Sequence, residues 1–127
     1  MLTSTIDETL TLPGGPHDVA EVRGSVRRLL AAPTYDRCRD DVVLALSELV
    51  TNAIVHAGGP VQVRIRAGRS SVRLEVADPS PAQPAVVRAT LDQEGGRGLH
   101  LVSMVAKGWG VEAAPDDGKT VWAELAV

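Results

Sequence analysis

The chain contains no phenylalanine, one tyrosine and two tryptophans. Any core it builds must therefore be aliphatic. It has one cysteine, Cys38, which excludes an internal disulfide and fits a reducing cytoplasm. The ordinary role of such a residue near a helix start is that of a small buried hydrophobe. No apolar run approaches the roughly 20 residues a membrane helix needs. The first residues show no basic segment followed by an apolar run, so neither a membrane span nor a secretory leader is expected. Basic residues are not in excess: the net charge is -3. That argues against nonspecific nucleic-acid binding, which depends on phosphate neutralisation by Lys and Arg. Internal repeats are absent too.

What is present points to one folded unit. The 127 residues are 44% hydrophobic, enough for a real core, and residues 1–127 are expected to form a single domain. Thr3 to Leu12 reads as a weak first strand, ended by Pro13-Gly14-Gly15-Pro16. Val19, Val22, Val26 and Leu29 follow at helical spacing. Arg23, Arg27 and Arg28 fall largely off that stripe. Pro33-Thr34 ends the first helix, and Thr34 or Asp36 can cap a second. Val61, Val63, Ile65 and Ala67 alternate with polar residues, as do Val72, Leu74 and Val76, which predicts an antiparallel hairpin with one buried face. Residues 79–94 show no clear periodicity, and so long an irregular stretch in a compact domain is usually functional or mobile. Leu99, Val102 and Val105 then recur at helical spacing, and Trp109 to Ala113 with Thr120 to Val127 reads as a second hairpin. Helices covering one face of a mixed, mainly antiparallel sheet make a two-layer α+β sandwich.

The second helix carries the chemistry. Val42, Leu46, Leu49 and Ala53 form one apolar stripe. Glu48, Asn52 and His56, spaced by four, share another. Ala45, one turn before Glu48, leaves that flank sterically open. A carboxylate and an amide one turn apart suit a hydrated Mg2+, which takes oxygen ligands and keeps several waters. The same spacing also describes the solvated face of an amphipathic helix, and spacing alone favours that plainer reading.

The wording of the segment is more specific. Ser47-Glu48-Leu49-Val50-Thr51-Asn52-Ala53-Ile54-Val55-His56 resembles the N box of the GHKL ATPases, in particular the small anti-sigma-factor kinases of bacteria and their single-domain ATP-binding relatives. Gly95-Gly96-Arg97-Gly98 stands in the place and order of the G2 box. Asp78 stands at a strand end where the G1 aspartate stands. Thr120, after Gly118-Lys119, resembles the threonine of the last motif. The resemblance implies a GHKL fold with an ATP lid at about 79–96. It implies ATP and Mg2+ as ligands, with Asn52 on the metal and Glu48 as general base, touching the metal through water. Asp78 would accept from the adenine amino group, with Thr120 completing that network. Gly95, Gly96, Arg97, Gly98 and Leu99 would line the phosphates. Asp78→Asn should then remove binding with little loss of fold.

As for function, the resemblance implies a cytoplasmic Mg-ATP-dependent serine/threonine protein kinase of the anti-sigma type. Its partners would be a sigma factor and a small anti-anti-sigma protein, its first helix would help form the partner surface, and homodimerisation is one further state it raises. With no phospho-acceptor histidine domain in the chain, a complete histidine kinase is not expected. The sequence departs from the family in one place. The G1 box usually reads Asp-x-Gly-x-Gly, but here it is Asp78-Pro79-Ser80-Pro81-Ala82. Both glycines, which permit close backbone approach to a ligand, are gone, and prolines fix φ instead. The rival reading is therefore a catalytically silent binding module or nucleotide sensor.

Overall fold

A computed structural model describes residues 5–57, 59–78, 97–113 and 118–127. The expected lid at 79–96, with Gly95 and Gly96, lies outside the described residues, as do the side chains of Arg97 and Gly98.

The elements follow in the order β1 (Ile6–Leu12), α1 (Asp18–Leu29), a 3-10 turn (Pro33–Tyr35), α2 (Arg39–Ala57), β2 (Val61–Ala67), β3 (Ser71–Asp78), α3 (Arg97–Val105), β4 (Gly108–Ala113) and β5 (Lys119–Ala126). The strands form one sheet in the order β1-β2-β3-β5-β4. All four ladders are antiparallel, so the parallel component allowed by a mixed sheet does not occur among the described residues. Both expected hairpins form, but β5 inserts between β3 and β4.

One face of the sheet is covered. α2 packs across β2, β3 and β5, with α1 and α3 against it, and α3 also reaches β4. The core is aliphatic, as the missing phenylalanine requires. Val42, Leu46, Leu49 and Ala53 are buried, together with Val63, Ile65, Leu74, Val76, Ala123 and Leu125. α2 is enclosed more widely than its apolar stripe implies, because helices lie on both of its flanks. Ala45 is fully buried, so its small side chain lets a neighbour close in rather than leaving an open flank. Tyr35 spends its hydroxyl on the Gly68 carbonyl at 3.2 Å, tying the 3-10 turn to the β2–β3 turn. Burial pushes the Cys38 thiol above its ordinary value, which keeps it protonated and inert.

The connections hold the helix ends. Asp18 is buried and accepts from the backbone N–H groups of Gly14 and Gly15 at 2.8 and 3.0 Å. Gly14 has φ +92°, and a Cβ there would meet the Gly59 carbonyl oxygen at 2.3 Å; only glycine fits that approach. Neither Thr34 nor Asp36 caps α2 directly. Thr34 lies within the 3-10 turn, and Asp36 pairs with Arg39 at 2.8 Å. Arg39 in turn donates to the carbonyls of Leu30 and Ala32 at the end of α1, satisfying acceptors the helix itself leaves open.

Candidate functional site

Antiparallel ladders decide which element ends meet. β2 begins where α2 ends, and the ladder pairs Gln62, near the start of β2, with Ala77, near the end of β3. The end of β3 pairs with the start of β5, Asp78 opposite Lys119. β4 runs from Gly108, opposite Glu124, to Ala113, opposite Lys119. α3 enters β4 at the Glu124 end. The end of α2, the end of β3 and the start of β5 therefore gather at the other end of the sheet.

On α2, Glu48 and Asn52 are half-buried, whereas His56 is exposed. Arg23 of α1 donates through Nε to Ser47 Oγ at 3.0 Å, which marks the flank facing α1. At about 100° per residue, Glu48 and Asn52 turn away from that flank toward the side where α3 packs. Here the helix rises out of the core and leaves two oxygen-bearing side chains partly accessible. No cluster of three or more His, Cys, Asp or Glu occurs among the described residues. A Mg2+ held here would rely on Asn52, Glu48, water and the ligand's own phosphates, which suits its preference for retained water.

α3 begins at Arg97, so the backbone N–H groups of Arg97, Gly98 and Leu99 lie in its first turn, where a helix leaves donors without internal acceptors. The Leu99 side chain is fully buried. Only its backbone is available to a phosphate.

The strand ends change the picture drawn from sequence. Asp78 shares the core face of β3 with Leu74 and Val76, and its side chain is 1% exposed. Lys119 reaches it, and Thr120 does not. Lys119 Nζ lies 3.1 Å from Asp78 Oδ2 and 3.4 Å from Oδ1. Lys119 is in phase with the buried Val121, Ala123 and Leu125, while Thr120 shares the opposite phase with Trp122 and Glu124. Alternation along a strand sends neighbours to opposite faces, so Thr120 points away from Asp78 and cannot complete a network around it from this register. The alternation that identifies Lys119 was present in the sequence.

The histidine kinase-like ATPase domain model matches residues 12–125. The chain belongs to the histidine kinase-like ATPase domain family. No match is found among curated proteins. Among solved structures, that of the RsbU and RsbW domains of Rv1364c from Mycobacterium tuberculosis is similar, with a TM-score of 0.64 and 21% identity. The likeness covers 97% of this chain and 33% of that one, so this ATPase domain spans about a third of its neighbour. In this domain, no helix among the described residues is long and apolar enough to cross a membrane. Two oxygen-bearing side chains one turn apart on α2 are of the kind a hydrated Mg2+ accepts, and the first turn of α3 is of the kind that binds phosphate. At the base end the expected carboxylate is present, but it is engaged by a lysine.

Proposed function

We propose that this chain is an Mg-ATP-binding serine/threonine protein kinase of the anti-sigma type, phosphorylating a small anti-anti-sigma protein and binding a sigma factor. The observation that supports the reading is the match of residues 12–125 to the histidine kinase-like ATPase domain family, in a chain whose ladders bring the end of β3, with Asp78, and the start of β5 to the end of the sheet where α2 finishes. The solved neighbour that bears an RsbW domain supports the anti-sigma part.

ATP is the phosphoryl donor. Asn52 would hold the Mg2+, with Glu48 reaching it through water, and the metal would supply charge neutralisation. Backbone N–H groups of Arg97, Gly98 and Leu99, with Gly95 and Gly96 before them, orient the phosphates. Asp78 accepts from the adenine amino group. Glu48 takes the proton of the substrate hydroxyl as its oxygen bonds to the γ-phosphorus; the bond to the ADP oxygen breaks and the phosphoryl group leaves on serine or threonine.

The second reading, a silent partner-binding module, draws on the absent G1 glycines and on the Asp78–Lys119 pair. Transfer of labelled phosphate from ATP to anti-anti-sigma proteins of the same genome separates the two. Transfer by wild type that disappears in Glu48→Gln supports the kinase. Tight partner binding without any transfer supports the module.

A further inference from the structure

The base end of the site contains a charge that the proposed chemistry does not use. Lys119 lies across the ladder from Asp78, and its single ammonium addresses both carboxylate oxygens, at 3.1 and 3.4 Å. The side chains are 3% and 1% exposed. β5 is laddered on both sides, so its backbone cannot carry Lys119 away without breaking the sheet. The neighbours of Lys119 in phase along β5 are Val121, Ala123 and Leu125, which offer an ammonium no hydrogen-bond acceptor in their side chains.

We propose that Lys119 is an internal competitor for Asp78 and so determines how tightly the site takes an adenine nucleotide. The inference rests on the reading of Asp78 as the base acceptor. Adenine offers a neutral amino group, whereas Lys119 offers a full positive charge to the same oxygens. Charge-assisted hydrogen bonds are the stronger kind, and away from water the difference grows. A base that donates to Asp78 draws on the carboxylate that pairs with Lys119 and weakens its hold on that ammonium. That leaves an ammonium less well paired inside the protein, a costly state. The site is thus biased toward its own closed form, and Lys119 lowers affinity without touching the phosphates.

The test is calorimetric titration of Mg-ATP into the full chain, with folding checked by circular dichroism. Lys119→Thr and Lys119→Gln remove the charge, and Lys119→Arg keeps it. The Thr and Gln variants should bind about tenfold to a hundredfold more tightly than wild type, the worth of one hydrogen bond to a charged group. The Arg variant should show no such gain. Gln retains length and an amide donor, so the comparison survives if Thr fails to fold. The neutral pair Asp78→Asn with Lys119→Gln serves as control. If wild type binds, the neutral pair does not, and removing the Lys119 charge leaves affinity unchanged or lower, the competitor role is overturned while nucleotide binding stands. If neither wild type nor any charge-removing variant binds, the nucleotide reading fails with it. One measurement needs no variant: the Lys119 ammonium resonance, protected in the free protein, should lose protection at saturating Mg-ATP. Unchanged protection in the bound state would overturn the proposal.

Discussion

β3 and β5 carry charge on both faces of the sheet, and the two clusters behave differently. On the covered face, Asp78 and Lys119 form a nearly fully buried pair. On the open face, Glu75 accepts from Arg66 at 3.0 Å and Arg73 at 2.9 Å, and Arg73 also approaches Glu124 at 3.7 Å. Arg73 stacks over Trp122, 4.6 Å from the ring centroid. Further out, Arg64 pairs with Asp7 at 2.8 Å. The open-face groups keep a fifth or more of their surface in water. They form a network that shares partners, on a surface that none of the described helices covers. The buried pair is 3% and 1% exposed and lies away from water. A charge held in that position, at the end of the sheet where the ligand elements meet, is the one to read as functional.

The sharpest way to break this contrast is to remove one member of the buried pair. Asp78→Asn should cost about 3–5 kcal/mol of stability, because it strands the Lys119 ammonium. This reverses the expectation from sequence that the substitution would spare the fold. Urea unfolding should show the loss, and adding Lys119→Gln should recover most of it; equal stability of the wild type and Asp78→Asn would mean the pair is not coupled. Next in size is Glu48→Gln, on the same side of the sheet but half-exposed. It should leave stability unchanged and slow phosphoryl transfer by about a hundredfold to ten-thousandfold, as single-turnover kinetics would reveal.

The open face should respond more mildly. Glu75→Gln should cost about 1–2 kcal/mol, since one carboxylate loses hydrogen bonds to two guanidinium groups. Burial alone would raise the pKa of Glu75, but the hydrogen bond from Arg73 and the charges of Arg66, Arg73 and Arg64 outweigh it and hold it below its ordinary 4.5. Its contribution is therefore present above that value and lost as pH falls through the depressed range. A stability profile between neutral and acid pH should flatten in that window for Glu75→Gln. The smallest effect belongs to Arg64→Ala. The pair with Asp7 is about half-exposed on both sides, and at physiological salt its removal should leave the melting temperature unchanged within error. A large shift there would erase the distinction between the two faces.

Particular residues show how far the sequence could be read. The apolar stripe of α2, the two hairpins and the aliphatic core follow from periodicity, because burial of one face demands it. Glu48 and Asn52 stand out by the wording of their segment; both are half-buried on α2, which a solvated helix face would also show. Thr120 resembles the last motif's threonine by its place after Gly118-Lys119, but strand parity puts Lys119 on the buried face. A lysine at the start of a strand ordinarily faces water, whereas Lys119 is buried.

By itself, the sequence determined that the chain forms aliphatic helices and alternating strands, and it named the polar side chains that break their pattern. Local propensity and the periods of helix and strand suffice for that. Only the tertiary structure decided that β5 lies beside β3 although β4 precedes it, and that Asp78 therefore faces Lys119. Strand order is chosen by how all the elements bury their apolar faces together, and no single segment contains that information.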